Sequence, residues 1–598
     1  MKRKVTVVAV AATLGIGTIT AVSAASSQRN ADCSSGAHTL SHSGDTVYPE
    51  TGNGGYTSVH TDVSLRYDAN NNKFLPGNHV TLTSRATQCL TDFSLDFQAN
   101  SGGKPNGSNL TVGSVTVNGQ PATFAFVQPT YPGDPNGQND PDPRAHQVSQ
   151  ANPVGGPNHN PLPPACSPEL TSANASQRDS LNGTACPANK LVITPSAPVA
   201  NGDTFTVTVN YTGTPGLHYG ADGSAEGWFK TTGGNSMTTE PVGTENWMPL
   251  NNHPSVKPTY DFYSTAATGK TALANGQLAG KTTNPADADF PNGSVTWHWH
   301  ADMPIASYLV VSIIGDYSFD ERTTAGIKYY QAQDTHITTT QQKKNKAVMD
   351  KHADITAFLS QYSGPYPYPS DGVVAGIPST PDSVEEMQTM IVFTNGKVDE
   401  QTLYHETMHQ WWGDNVSEAS YTMAFFKEGL ASLGEYLMAA RKAQDAAGGP
   451  GTAAGRAAFQ QSLVDQFKDT YSSMGTFWTQ APSKPPAYNL LEDDASYERP
   501  GGSYIALRQI LGADRFVAAL QYIQQTYNGG TLTEPQLEDA FQRYLPNPSP
   551  ACTARLADFF TQWWDTAYPA GGDPNRPQIT GPGLDSPDFY QGGCTATR

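Results

Sequence analysis

The hydrophobic and polar positions follow different patterns in the two halves of the chain. From about Tyr56 to Tyr317, apolar and polar residues alternate, as over Phe205–Tyr211, which is typical of half-buried antiparallel strands. The alternation predicts strands at Val59–Arg66, Val80–Thr87, Phe93–Phe97, Leu110–Val117, Leu191–Thr194, Phe205–Tyr211, Val295–His300 and Ser307–Ile314. The first half is therefore predicted to be an all-β domain.

After about Thr323 the apolar residues recur at helical spacing, for example at Val348, Ile355 and Phe358. This pattern predicts helices at Gln341–Tyr362, Thr402–Trp412, Thr422–Ala446, Arg456–Tyr471, Ser503–Leu511, Asp514–Tyr527, Glu534–Tyr544 and Ala554–Tyr568. Short strands are predicted at Val373-Val374 and Met390–Phe393. A mixed α+β domain with a helical end follows.

The ends of the chain and one internal stretch differ from both halves. Lys2-Arg3-Lys4 precede an uncharged run from Val5 to Ala24 with small residues at its end, which predicts a secretory signal peptide at 1–24. A membrane anchor is the alternative, because the run is just long enough to span a bilayer, but Thr, Gly and Ser dilute it. Residues 128–189 are rich in Pro, Gly, Asn and Asp and predict a long surface excursion, and 570–598 an irregular tail.

The net charge and the cysteine content indicate which class of partner and which redox compartment suit the protein. With 35 Lys and Arg against 54 Asp and Glu, the net charge of −19 makes a nucleic-acid partner improbable. The six cysteines of the exported part predict disulfides, with sequential pairing as the working hypothesis. A cysteine metal site is the competing interpretation, but the sequence has no Cys-x-x-Cys pair.

The candidate chemistry lies on two of the predicted helices. His405-Glu406-Thr407-Met408-His409 places two imidazoles on one helix face, where both can reach one metal ion. Glu428 follows His409 after eighteen residues, enough for a turn and an antiparallel return. Two His and one Glu leave a fourth position open for water, which is the catalytic arrangement of zinc.

These residues resemble a known family. His405-Glu406-x-x-His409-Gln410-Trp411-x-Gly413, followed by Lys427-Glu428-Gly429-Leu430-Ala431, is similar to the zinc aminopeptidases of the aminopeptidase N (gluzincin) family. Glu240-Pro241 with the Trp247–Pro254 segment resembles the β-domain signature of that family, and Tyr497-Glu498-Arg499 the segment of its catalytic tyrosine. The resemblance runs from about Tyr56 to Tyr568, without the excursion and without the large C-terminal helical domain of the family.

The resemblance implies a fold and a division into domains. The expected fold is multidomain, with an N-terminal all-β, saddle- or sandwich-like domain at 25–322. A thermolysin-like α+β zinc peptidase domain with a helical end follows at 323–569.

The resemblance also implies roles for single residues. Glu406 would be the general base and Tyr497 a hydrogen-bond donor to the oxyanion. Glu386 corresponds to the amine-binding glutamate of the family, although the stretch Ser383–Gln388 departs from the family pattern, and the adjacent Glu385 is a rival. Glu240 would be the second amine-binding carboxylate.

Glu435 lies seven residues after Glu428 on the same helical face, so it could accept a hydrogen bond from a ligand histidine.

The sequence thus predicts a secreted bacterial zinc metalloaminopeptidase that binds one zinc ion per chain at His405, His409 and Glu428. Its substrates would be peptides with free N-termini, and it would have no stable membrane insertion after signal cleavage. A gluzincin endopeptidase is the alternative enzyme. A non-catalytic extracellular binding protein is the alternative outside enzymes, although retention of Glu406 with all three ligands argues against it.

Overall fold

The computed structural model describes residues 33, 45, 47–48, 51–101, 106–127, 190–219, 225–378, 383–472, 478–485, 490–491, 493–569 and 594. The predicted signal peptide, the 128–189 excursion and the predicted C-terminal tail, apart from Cys594, lie outside the described residues. Cys33 pairs with Cys89 and Cys552 pairs with Cys594, which confirms sequential pairing for these four cysteines. The other two cysteines lie outside the described residues.

The N-terminal part is built from strands that alternate buried and exposed positions. Its strands are β1 (Tyr56–Asp68), β2 (Lys73–Phe74), β3 (His79–Ala86), β4 (Phe93–Asp96), β5 (Asn109–Val117), β6 (Gln120–Val127), β7 (Lys190–Thr194), β8 (Thr204–Thr214), β9 (Leu217–Tyr219), β10 (Ala225–Lys230), β11 (Asn235–Thr238), β12 (Thr259–Ala267), β13 (Thr271–Ala274), β14 (Gln277–Asn284), β15 (Ser294–Ala301) and β16 (Ser312–Gly315).

One large sheet dominates this part of the described chain. Its strands follow the order β14-β15-β12-β1-β2-β8-β5-β6-β7-β4, and β3 pairs with both β1 and β8. Two smaller sheets, β11-β10-β9 and β13-β16, accompany it. The predicted all-β domain is therefore confirmed.

The second part combines a five-stranded sheet with helices. Its further strands are β17 (Tyr317–Thr324), β18 (Ile327–Asp334), β19 (Ser370–Ala375), β20 (Val384–Glu385), β21 (Ile391–Phe393), β22 (Ser417–Glu418) and β23 (Thr531–Leu532). The five-stranded sheet has the order β17-β18-β19-β21-β20. Residues of β19 and β21 and the segment between them, Val374, Met387, Met390 and Val392, pack into the core of the β domain. The segment around Glu386 therefore lies where the two parts meet.

The longest helix of this part packs against three of the others. The helices are α1 (Thr339–Met349), α2 (His352–Ser363), α3 (Glu400–His409), α4 (Ala424–Ala446), α5 (Ala453–Ser472), α6 (Arg499–Leu511), α7 (Ala513–Thr526), α8 (Glu534–Gln542) and α9 (Pro550–Phe560). Helix α4 is buried nearly all round over its first four turns and packs against α3, α5 and α6, as expected of a core helix. The predicted α+β part with a helical end is confirmed. In the part of the chain that the structure describes, no helix is both long and apolar enough to cross a membrane.

Two predicted elements are wrong in detail. The predicted helix Gln341–Tyr362 is two helices, because Arg322 of β17 donates hydrogen bonds to the carbonyl oxygens of Met349 and Asp350, where α1 ends. The predicted strand Ser307–Ile314 begins with a 3₁₀ turn at Ser307–Leu309. There the hydroxyl of Thr244 donates to the carbonyl of Ser307, so a side chain replaces a strand partner.

Candidate active site

Helix α3 carries two histidines toward one glutamate of α4. Asp399 caps the helix by accepting a hydrogen bond from the amide of Thr402 at 2.9 Å, which fixes its start. Nε2 of His405 and Nε2 of His409 lie 3.4 and 3.2 Å from the same oxygen, Oε2 of Glu428. We call His405, His409 and Glu428 the buried centre.

The geometry of the buried centre fits zinc. Ligands held about 2.1 Å from a tetrahedral zinc ion lie about 3.4 Å from one another. The two distances from Glu428 to the imidazoles match that edge, and the three ligand atoms lie within 4.8 Å of one another. The donor set of two imidazoles and one carboxylate is also the set used in catalytic zinc sites.

Both imidazoles are oriented by their second nitrogen. Nδ1 of His409 donates to the carbonyl of Trp412 at 2.9 Å. Nδ1 of His405 donates to Oε1 of Glu435, the acceptor proposed from its spacing, at 2.7 Å. Each hydrogen bond leaves Nε2 free to bind a cation, which is the usual outer arrangement of metal-binding histidines.

The charges of the buried centre favour a cation. Burial by itself lowers the pKa of His405, but the carboxylates of Glu428 and Glu435 raise it well above its usual value. Burial by itself raises the pKa of Glu428, but Lys427 and the two imidazoles lower it well below its usual value. The carboxylate is therefore charged, and the site gathers positive charge around it.

Glu406 lies on α3 next to His405 and is 5% exposed. Its carboxylate lies within 4.8 Å of ligand atoms of His409 and Glu386. Burial raises the pKa of Glu406 to about 7, against the opposing effect of the two imidazoles. A carboxylate with this pKa is suited to accept and return a proton near neutral pH.

Tyr497 stacks on the first ligand histidine, with ring centroids 5.8 Å apart and an interplanar angle of 28°. Burial raises its pKa well above the usual value, so the hydroxyl keeps its proton. The next two residues fix its position: Glu498 accepts a hydrogen bond from Tyr436 at 2.7 Å, and Arg499 donates to the carbonyls of Gln480, Gln562 and Thr566.

The two predicted amine-binding carboxylates meet at a lysine. Oε1 of Glu240 and Oε1 of Glu386 lie 2.6 and 2.7 Å from Nζ of Lys427, which also lies 2.5 Å from Oε1 of Glu428. The side chain of Lys427 is fully buried. A single ammonium group thus contacts three carboxylates, that of Glu428 in the buried centre and two beside it.

Glu385 and Glu386 have different surroundings although they are neighbours. The carboxylate of Glu385 accepts hydrogen bonds from the backbone amides of Thr239 and Glu240, so it holds the loop that carries Glu240. The carbonyl of Glu386 accepts a hydrogen bond from Gln410 at 2.6 Å, which ties this segment to the end of α3. Glu386 faces the centre, and Glu385 positions its partner.

Two glycines allow the elements of the site to approach one another. Gly413 has φ +111°, and a Cβ there would lie 3.1 Å from Lys427 and 3.4 Å from Nδ1 of His409. A Cβ on Gly429 would lie 2.4 Å from Cβ of Pro500, so α4 and α6 pack in contact only without a side chain.

Sequence reasoning missed the roles of Lys427, Glu385 and Gln410. Lys427 stands next to a predicted ligand, Glu428, within the quoted motif, but its two other carboxylate partners come from distant segments. The signal that could have found it is a lysine flanked by a buried ligand glutamate, since a buried ammonium requires partners of opposite charge.

Comparison with known proteins finds similarity to peptidases and aminopeptidases. A model of the peptidase family M1 domain matches residues 347–563. Endoplasmic reticulum aminopeptidase 1 of Homo sapiens is 23% identical over 352 residues, which cover 55% of this chain and 35% of that protein. The same protein of Mus musculus is 23% identical over 358 residues, which cover 55% of this chain and 36% of that protein. The chain spans about a third of the length of these curated relatives.

Solved structures extend the likeness to both parts of the chain. The M1 zinc metallopeptidase from Deinococcus radiodurans has a TM-score of 0.63 and 20% identity, covering 88% of this chain and 99% of its own. A mutant of that metallopeptidase bound to a Tyr-Ser-Ala substrate also has a TM-score of 0.63, with 19% identity, and covers 89% and 99%. These matches confirm the predicted fold: residues 347–563 match the model of the peptidase family M1 domain, and the chain has a two-domain fold similar to that of these M1 zinc metallopeptidases.

Proposed function

We propose that this protein is an exported aminopeptidase that binds one zinc ion at the buried centre and removes N-terminal residues from peptides. The observation that carries the proposal is the convergence of His405 and His409 on one oxygen of Glu428 at the edge length of a zinc tetrahedron. When bound, zinc would polarise the scissile carbonyl and make water a stronger acid. The other steps fall to side chains of this chain.

Proton transfer is assigned to Glu406. The carboxylate is one residue from a metal ligand, buried, and shifted to a pKa of about 7. It would accept a proton from the attacking water and deliver it to the departing amine.

Stabilisation of the developing oxyanion is assigned to Tyr497. Its ring lies against His405, and its hydroxyl keeps its proton because burial raises the pKa. A protonated phenol beside the metal site can donate a hydrogen bond to negative charge that develops on the carbonyl oxygen.

Recognition of the substrate α-ammonium is assigned to Glu386 and Glu240. Both carboxylates already hold one ammonium group, that of Lys427, at 2.6–2.7 Å. The contact supports their capacity to bind a second cation through their remaining oxygens, since charge-assisted hydrogen bonds of this kind contribute about 1.5–3 kcal/mol each. Glu385 supports the arrangement by holding the backbone of Glu240.

The experiment that tests the exopeptidase proposal compares free and N-acetylated forms of the same peptides. We expect the free peptides to lose their first residue and the acetylated ones to resist cleavage, because acetylation removes the charge that Glu386 and Glu240 would bind. Glu386→Ala should lower kcat/KM for free peptides by about tenfold or more. Glu321→Ala, a change on β17, is the control and should leave kcat/KM unchanged.

The alternative enzyme, an endopeptidase, predicts the opposite pattern. Internal cleavage of acetylated peptides at rates comparable with the free ones would refute the exopeptidase proposal while leaving the zinc chemistry intact. The absence of turnover on either form would favour a binding protein. Export is proposed from the predicted signal peptide, and the two disulfides are compatible with an oxidising compartment.

A further inference from the structure

A second group of histidines and carboxylates lies on the large sheet of the β domain. Three neighbouring strands supply it: β1 is parallel to β12, and β12 is antiparallel to β15. The register places Asp62 opposite Asp261, and Asp261 opposite His300. His60 and His298 are two residues away on their strands and share the same face. Phe262 of β12 points to the core, so this face is turned away from it.

Three atoms of this group have the spacing of metal ligands. Nε2 of His60 lies 3.6 Å from Oδ1 of Asp62 and 3.5 Å from Oδ2 of Asp261. Both distances are too long for a good hydrogen bond but close to the edge of about 3.4 Å expected around tetrahedral zinc. The three ligand atoms lie within 4.8 Å of one another. We call His60, Asp62 and Asp261 the exposed cluster.

The imidazole of His60 is oriented with Nε2 toward the carboxylates. Its Nδ1 lies 2.8 Å from the hydroxyl of Thr259, and that hydroxyl donates to the carbonyl of Val59 at 3.4 Å. The hydroxyl therefore accepts from Nδ1–H, and Nε2 is the ring nitrogen directed at the two carboxylates. A metal ion bound there would take the place of a proton on Nε2 and offset the charge of the two carboxylates.

The carboxylate of Asp261 is fixed from its other side. Its Oδ1 accepts hydrogen bonds from Nε2 of His298 at 2.6 Å and from Nδ1 of His300 at 3.1 Å. The ring of Tyr263 stacks on His298 with centroids 4.4 Å apart. Outer hydrogen bonds that hold a ligand carboxylate are typical of built metal sites.

We propose that the exposed cluster binds a divalent transition-metal ion, separate from the ion of the buried centre, at the surface of the β domain. One imidazole and two carboxylates form a mixed N/O ligand set that suits zinc among the common metals, with water in the remaining position. The side chains of His60 and Asp62 are 27% and 39% exposed, so the ion enters directly from solvent. The same exposure makes this site weaker than the buried centre.

The experiment is equilibrium dialysis of the full mature protein against zinc, with bound metal measured by elemental analysis. Protein already loaded at the buried centre should take up a second equivalent of zinc. His60→Ala should weaken that second uptake by tenfold or more and leave the first equivalent and peptidase activity unchanged. His336→Ala is the matched control, because His336 forms a single His–Asp pair with Asp334 at 2.7 Å on another sheet, and it should leave both equivalents unchanged.

Two further measurements keep the test decisive. Asp62→Asn retains the size of the side chain and should weaken the second uptake in the same way, which guards against a variant that fails to fold. Cobalt(II) in place of zinc should add a visible absorption band that disappears in His60→Ala. Uptake of only one equivalent by the wild-type protein, or a second equivalent that persists in both variants, would overturn the proposal.

Discussion

The buried centre and the exposed cluster use similar ligands in opposite surroundings. In the buried centre, the side chains of His409 and Glu428 are 1% and 2% exposed, and the distances between ligand atoms are 3.2 and 3.4 Å. In the exposed cluster, Asp62 is 39% exposed and the distances are 3.5 and 3.6 Å. Burial therefore accompanies tighter convergence of the ligands.

Burial also decides what surrounds the ligands. The carboxylates near the buried centre need neutralisation in a medium of low polarity, and Lys427 supplies one positive charge to three of them. Around the exposed cluster, water screens the carboxylates, and two histidines are sufficient to hold Asp261. The two groups therefore differ less in their candidate ligand side chains than in the buried charges arranged beside them.

The largest expected effect is loss of a ligand from the buried centre. Glu428→Ala should abolish both bound zinc and peptidase activity, because two imidazoles alone leave the ion without its carboxylate and leave Lys427 without one partner. Elemental analysis and hydrolysis of an aminoacyl amide measure the two outcomes. Asp261→Asn, which alters the exposed cluster, should keep wild-type activity. An active, zinc-loaded Glu428→Ala variant would show that the ligand assignment is wrong.

Removal of the proposed base should separate metal binding from turnover. Glu406→Gln retains size and polarity but cannot accept the proton, so kcat should fall by about 10² to 10⁴ while zinc content stays at wild-type level. Steady-state kinetics on metal-loaded protein provide the measurement. A near-normal kcat would mean that another group accepts the proton.

Removal of the oxyanion donor should have a somewhat smaller effect. Tyr497→Phe keeps the ring that stacks on His405 and removes only the hydroxyl, so kcat should fall by about 10² to 10³ with little change in KM. Tyr436→Phe removes the hydroxyl that donates to Glu498 and so tests the positioning of Tyr497 alone. It should lower kcat less than Tyr497→Phe does. An effect of Tyr497→Phe confined to KM would indicate packing rather than catalysis.

The parts of the molecule that could be predicted from sequence are those determined by local spacing. His405 and His409 are one helical turn apart, and Glu428 follows on the next helix, so their convergence needs only two helices packed side by side. The alternation of apolar and polar residues is also a local pattern, and it predicted the strands β8 and β3. By contrast, β11 is buried on both faces, and its sequence Asn-Ser-Met-Thr has no alternation that could reveal it.

The parts that could not be predicted depend on contacts between distant segments. Two partners of Lys427 come from residues 240 and 386, and the exposed cluster from two strands, β1 and β12, that are far apart in the sequence. The end of α1 is set by Arg322, so no periodicity within 341–362 could reveal the break. These contacts can be recognised only when it is known which segments of the chain lie next to one another in the fold.

The smallest effect is expected from the outer hydrogen bonds, and it should differ between the two sites. Glu435→Ala removes the acceptor that orients His405 and should weaken zinc binding at the buried centre by about 10- to 100-fold, measured by competition with a chelator. Gln401→Ala, which removes only the donor that holds Glu435, should weaken it less. At the exposed cluster, Thr259→Val removes the corresponding partner of His60, and solvent can replace its hydrogen bond. The loss there should be smaller than for Glu435→Ala, and equal losses at the two sites would contradict the idea that burial makes the outer partner important.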